Sequence, residues 1–212
     1  IVDSNCLESL NPQLANEWHP SKNKKLSPSI VGVGSAKKVW WKCSEGEDHE
    51  WQAQIASRNR GSGCPVCINK LIVKSNSLLT LNPEIAKQLH PTKNGKLNSL
   101  NIGPGSHKKV WWKCEKGDDH IYSMSPEKKT KGYGCPVCSG HKVVKSNSLA
   151  TLNPEMAKQW HPTKNGKLTP FDLTPGSSKM IWWKCNKDVD HEWKTKPGSR
   201  SQQNSGCPFC TN

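Results

Sequence analysis

The chain has 212 residues, of which 33% are hydrophobic, and its 31 basic and 17 acidic side chains give a formal net charge of +14. So little apolar material excludes one large core, and no apolar run is long enough to cross a bilayer. The basic excess favours polyanionic partners or anionic surfaces.

No secretory signal pattern is visible, and the start at Ile1 rather than Met implies a segment removed or not included upstream. Internal repetition organises everything else. Cys43, Cys114 and Cys185 lie 71 residues apart, as do His49, His120 and His191. From Lys74 to Cys114 and from Lys145 to Cys185, 29 of 41 positions are identical, and the first copy is more divergent. The spacing gives zinc repeats at 1–67, 74–138 and 145–210, joined by connectors 68–73 and 139–144. Links this short suggest an ordered or semi-rigid array.

Each unit opens on a helix signal. In the third copy Asn153 suits an N-cap, Pro154 the first helical position, and Glu155 the positive end of the dipole. Pro162 stops the helix near His161. Leu149, Leu152, Met156 and Trp160 can share one face. The equivalent helices begin at Asn11-Pro12 and Asn82-Pro83. About two turns cannot stand alone, so each helix must pack on its own unit. A polar turn such as Thr163–Lys167 follows, then a segment rich in Pro and Gly. Val39-Trp40-Trp41-Lys42, Val110-Trp111-Trp112-Lys113 and Ile181-Trp182-Trp183-Lys184 read as strands. His49–Ile55 and its counterparts read as the returning strand, and a polar loop with Gly leads to a Cys-Pro-x-Cys turn.

These elements carry a ligand set three times over: Cys43, His49, Cys64 and Cys67; Cys114, His120, Cys135 and Cys138; Cys185, His191, Cys207 and Cys210. Cys-x-x-Cys turns two sulfurs toward one point, and Cys-x(5)-His can close a tetrahedron around it. Three thiols and one imidazole suit Zn²⁺, and four protein ligands make the site structural. The alternative, a disulfide framework, cannot pair three cysteines within each identical unit and gives the histidine no reason to recur. Three zinc ions per chain are expected, in a reducing intracellular compartment such as the cytoplasm, nucleoid, nucleus or an organelle. Three thiolates and one Zn²⁺ per site bring the chain nearer +11. Cys6 aligns with Ser77 and Ser148 and reads as a drifted serine.

The run Thr-Leu-Asn-Pro-Glu, Trp-His-Pro-Thr-Lys-Asn-Gly, Trp-Trp-Lys-Cys, His-Glu-Trp, Gly-Cys-Pro-x-Cys resembles the tandem zinc-ribbon, or treble-clef, repeat family. The resemblance covers almost the whole chain. It implies a small metal-stabilised α+β fold, with three zinc-ribbon or treble-clef-like repeats, each a short helix plus a β-hairpin around one zinc. Some relatives are fused to endonuclease-like domains, which makes a targeting array related to nuclease-associated zinc domains one reading. The family's first ligand pair is often closer in sequence than Cys-x(5)-His. A full treble clef places a helix directly after the last Cys-x-x-Cys, where Ile68-Asn69-Lys70 and Ser139-Gly140-His141 are weak helix starts. Ribbon and treble clef both stay open.

Basic residues recur at fixed places: Lys22, Lys93 and Lys164; Lys25, Lys96 and Lys167; Lys37, Lys108 and Lys179; Lys42, Lys113 and Lys184; Arg58, Lys129 and Arg200. They would line a face that follows a phosphate backbone, of DNA or RNA, or else form an ordinary solvated surface. The formal charge is +2 over residues 1–71, +7 over 72–142 and +5 over 143–212, so the second and third units are the better contact candidates. Neighbours on a strand point to opposite faces, so one Trp of each pair packs inside. The other could stack on a base, meet the next repeat, or dock a protein. His19, His90 and His161 suit a helix-ending polar contact or a phosphate contact. No repeated carboxylate cluster, phosphate-cradling glycine motif or nucleophile–base order is present, so no catalytic residue and no small-molecule substrate are expected. The expectation is a non-enzymatic nucleic-acid binder. The alternative is an assembly subunit that docks onto a larger protein or ribonucleoprotein complex through Trp-rich faces.

Overall fold

The computed structural model describes residues 3–203 and 205–210. The first repeat contains α1 (Leu7–Leu10), α2 (Pro12–Ala15), β1 (Lys38–Lys42), β2 (Glu50–Gln54) and α3 (Ile55–Asn59). The second contains α4 (Leu78–Leu81), α5 (Pro83–Lys87), β3 (Val110–Lys113), β4 (Ile121–Met124) and α6 (Pro126–Thr130). The third contains α7 (Leu149–Leu152), α8 (Pro154–Ala157), β5 (Ile181–Lys184), β6 (Glu192–Thr195) and α9 (Pro197–Gln203). Each strand pair is a separate two-stranded antiparallel sheet. This is the small α+β repeat fold expected from the sequence. The chain packs as two compact units, residues 1–108 with 125–130 and residues 109–124 with 131–212.

The opening helix is two single turns rather than one continuous element. Asn11, Asn82 and Asn153 leave helical geometry, with φ of −148°, −143° and −143°. Each asparagine therefore ends one turn and starts the next. Asn11 and Asn153 accept from the backbone N–H of Leu14 and Met156, both at 3.1 Å. The preceding turn has its own N-cap: Ser77 and Ser148 accept from Thr80 and Thr151. Cys6 stands at this same position in the first repeat, which fits a substituted serine. The break corrects the expected apolar face. Leu149 and Met156 are buried, but Leu152 is 59% exposed because the 3.6-residue period does not run through Asn153.

The hairpins explain the Trp pairs. Trp41 faces Trp51, Trp112 faces Tyr122, and Trp183 faces Trp193 in the antiparallel register. Trp41, Trp112 and Trp183 are fully buried, while Trp40, Trp111 and Trp182 lie on the outer face. Each inner indole N–H is satisfied by a carbonyl on the returning strand: Ala53 at 3.1 Å, Met124 at 2.9 Å and Thr195 at 3.0 Å. Trp18 and Trp160 pack edge-on against Trp41 and Trp183, at 5.5 and 5.7 Å between ring centroids. The core of the first repeat gathers Leu7, Leu14, Val31, Val39, Ile55 and Val66 around these rings, together with ligand residues Cys43 and Cys64.

The Trp-His-Pro-x-Lys-Asn segment lies alongside the outer strand. Asn23 accepts from the Trp40 N–H at 2.7 Å and donates to the Trp40 carbonyl at 2.9 Å. Asn165 makes the same pair of bonds with Trp182, both at 2.9 Å. His19 and His161 turn the chain into this segment: their Nδ1 atoms accept backbone N–H groups two and three residues on. The returning strand is shorter than expected in the first repeat, since Ile55 already belongs to α3. The stretch read from sequence as a polar loop carries α3, α6 and α9.

Candidate metal centres

Each hairpin turn delivers a cysteine and a histidine, and the following Cys-Pro-x-Cys turn delivers two more sulfurs. The twelve ligand residues fall into three groups, Cys43–His49–Cys64–Cys67, Cys114–His120–Cys135–Cys138 and Cys185–His191–Cys207–Cys210, with all donor atoms of a group within 4.8 Å of one another. The measured edges test whether a metal fits. Zn–S bonds of about 2.3 Å and Zn–N bonds of about 2.0–2.1 Å set S···S edges near ~3.8 Å and S···N edges near ~3.6 Å in a tetrahedron. Cys43–Cys67, Cys114–Cys138 and Cys185–Cys210 are each separated by 3.7 Å at sulfur. The Nδ1-to-sulfur distances run 3.9 and 3.5 Å in the first group, 3.9 and 3.4 Å in the second, and 3.6 and 3.4 Å in the third. These edges fit zinc at all three sites. They exclude disulfides, whose sulfurs approach to about 2.05 Å.

A family profile described as "Probable Treble clef zinc finger domain" matches residues 14–70, 85–141 and 156–212. The chain belongs to this zinc finger family. No functionally curated protein matches it. In these treble clef units the final Cys-Pro-x-Cys runs into turns at 65–69, 136–140 and 208–210, not into an immediate α-helix. Zinc is the ion typical of such fingers, and the chain has sites for three.

The acid–base setting of the thiols belongs to a metal cluster. Burial, followed by hydrogen bonds and charge from the other two sulfurs, pushes Cys67 up to about 12 and Cys138 and Cys210 up to about 11. Each of these residues keeps an exposed edge. Cys185 moves the other way, to about 6, chiefly because the Lys187 backbone N–H points at its sulfur from 3.4 Å. Three crowded sulfurs resist losing all their protons, and a divalent cation that replaces the protons relieves that resistance.

The recurring basic residues divide into two kinds. Lys22, Lys25, Lys37, Lys93, Lys96, Lys108, Lys113, Lys164, Lys167 and Lys179 are exposed, and Lys42 and Lys184 are half-buried. Arg58, Lys129 and Arg200 were expected on the same contact face, and burial corrects that reading. They are only 7%, 9% and 3% exposed. Arg58 lies over Trp41 and Trp51, at 5.4 and 5.2 Å, and pairs with Glu17. Arg200 lies over Trp183 and Trp193, at 4.5 and 5.2 Å, and donates to Gln159 at 2.7 Å. The planar guanidinium stacks between aromatic rings and is part of the interior.

The repeated histidines also have a structural use. His19 and His161 are each 4% exposed, and their Nε2 atoms lie 3.0 and 2.9 Å from Glu50 and Glu192. Lys22 and Lys164 pair with the same carboxylates and sit 4.7 and 4.8 Å from the Trp40 and Trp182 rings. Lys164, then His161, hold the Glu192 carboxyl down at about 2, and Lys22, then His19, lower Glu50 likewise. Among the described residues, no helix is long and apolar enough to cross a membrane.

Proposed function

We propose that this chain is a non-enzymatic, zinc-stabilised repeat protein that binds nucleic acid mainly through backbone phosphates, with stacking on an outward tryptophan. The reading is carried by one observation. Each hairpin puts a tryptophan on its outer face, two residues before a lysine on the same face: Trp40 with Lys42, Trp111 with Lys113, and Trp182 with Lys184. The cross-strand neighbours of these tryptophans are polar, namely Gln52, Ser123 and Lys194. An exposed indole beside ammonium groups matches a base beside its phosphate. Lys22 of the turn stands 4.7 Å from the Trp40 ring, and Lys164 stands 4.8 Å from that of Trp182.

The test is a salt series with duplex DNA and with single-stranded DNA and RNA. On duplex DNA, log affinity should fall by about 0.9 per contacted phosphate for each tenfold rise in salt, and by about 0.7 on single strands. Replacing Lys93, Lys96 and Lys108 together with Gln should reduce the duplex slope by up to about three contacts and weaken all sequences alike. Trp111→Ala should lower affinity with little change in slope. Trp111 is 39% exposed, so folding should survive. Unchanged affinity and slope in the triple variant would sink the phosphate reading.

One observation favours the assembly reading instead. Leu10, Leu81 and Leu152 occupy equivalent positions and are 55%, 52% and 59% exposed. A repeated exposed leucine is what a protein-docking face would use. A salt-insensitive complex with a protein partner, lost on replacing the three leucines with Ser, would support that reading over the first.

A further inference from the structure

We propose that Ser75 and Ser146, which open the second and third repeats, are positioning residues for the zinc histidine of the repeat before them. The Ser146 hydroxyl donates to Asp119 Oδ1 at 2.6 Å and stands 3.1 Å from His120 Nε2. A hydroxyl has one proton. Given to the carboxylate, that proton leaves the oxygen free only to accept, so the imidazole must carry its own proton on Nε2. Nδ1 then presents its lone pair to the three sulfurs, as a zinc ligand must. The Ser146 backbone N–H also donates to Asp119, at 2.9 Å, and fixes the serine over the ring.

The first repeat has the same arrangement. Ser75 Oγ is 3.3 Å from His49 Nε2, and the Ser75 N–H donates to Asp48 at 2.8 Å. Against the ring a glycine is also required. A Cβ on Gly46 or Gly117 would come within 2.6 Å of Cδ2 of His49 or His120. Each imidazole thus has a glycine of its own hairpin turn and a serine of the next repeat against it.

The third site uses a different device. Asp188 stands at the position of Gly46 and Gly117, and its carboxylate lies 3.7 Å from His191 Nε2. Phe209 stacks on the ring at 5.0 Å. The imidazole side chain is 26% exposed, against 10% for His120. The brace for the third histidine therefore comes from its own hairpin, and for the first two from the following repeat. Metal retention at sites one and two depends on docking of the next repeat's opening residues.

The experiment uses the full zinc-loaded chain, a colorimetric chelator, and hydrogen exchange to assign each release phase to a repeat. Ser146→Ala should accelerate zinc loss from the second site by about 10- to 100-fold and leave the first and third sites unchanged. The His120 ring proton on Nε2 should exchange faster in long-range nitrogen–proton spectra. Ser146→Thr, which restores the hydroxyl, should return both readouts to the parent values. Asn147→Ala is the control for docking alone. It removes the bonds from Nδ2 to the Val137 and Lys142 carbonyls, both 2.9 Å, without touching the histidine. The proposal is overturned if Ser146→Ala releases zinc at the parent rate, or if Asn147→Ala speeds release and Ser146→Thr fails to rescue.

Discussion

The first and third repeats place a glutamate across from the lysine that precedes the first ligand, and the second places an isoleucine there. The pairs are Lys42 with Glu50, Lys184 with Glu192, and Lys113 with Ile121. In the outer two repeats the carboxylate collects a histidine and a lysine from the turn before the hairpin. Those lysines are then part-neutralised where they lie over the outward tryptophan. The second repeat keeps Trp111 and Lys113 without that acid, and its lysine pairs instead with the fully exposed Asp118 at 2.9 Å. The same scaffold thus carries two kinds of outer face. Zinc and the inner tryptophan hold the hairpin in each case, so the outer face can change its charge without loss of the fold.

That comparison can be broken most severely at the metal. Cys138→Ser should remove the second zinc and unfold the second repeat, leave the third repeat's metal in place, and speed zinc loss from the first site only so far as unfolding frees Ser75 from His49. Structural zinc in a small finger contributes on the order of 10 kcal/mol. Metal analysis with repeat-resolved hydrogen exchange checks this, and loss of all three zincs would contradict independent sites. Next in size is the inner against the outer ring. Trp183→Ala should cost about 3–5 kcal/mol, whereas Trp182→Ala should cost well under half of that. Denaturant midpoints for the two variants give the ratio.

A smaller effect separates the repeats at the buried cation. The second repeat already has Lys129 where the others have arginine, and Tyr122 where they have tryptophan. Arg200→Lys should destabilise the third repeat by about 1–2 kcal/mol, because an ammonium cannot stack between Trp183 and Trp193 while reaching Gln159. A stability equal to the parent's would mean that only charge matters there. The smallest expected change is in binding: Ile121→Glu should give the second repeat the outer face of its neighbours. It should lower polyanion affinity by about one contact's share of the salt slope, ~0.9 on duplex DNA, with zinc content unchanged. If affinity stays at the parent value, the second face is not the contact.

The metal sites were legible in the sequence because chemistry and spacing speak together there: three thiols and one imidazole at a fixed interval admit few other uses. Strand alternation foretold one inner Trp per pair, but the order of inner and outer had to come from the register with Trp51, Tyr122 and Trp193. Asn153 is the N-cap that its side chain suits, with Pro154 in the first turn, but a cap is also a break, so the apolar period does not extend back to Leu152. The burial of Arg58 and Arg200 is not legible for another reason. Nothing local marks a guanidinium that will be enclosed by rings 17 and 7 residues away, at Trp41 and Trp193. The serines over the zinc histidines are not legible in the sequence because they lie 26 residues beyond them, across what reads as a boundary between units.

The paired bonds of Asn23 and Asn165 to the outer strand have a consequence for the company the protein can keep. A lone two-stranded ribbon offers unpaired backbone groups on both sides, an invitation to fuse with any other ribbon nearby. Here one amide side chain imitates the rung of a ladder and occupies both groups of Trp40 or Trp182 at once. With the backbone bonds that Glu17 and His19, or Gln159 and His161, make to the same strand, it closes that side to strand addition. The first and third ribbons can thus be strung on one chain, at high local concentration, without that edge inviting another strand.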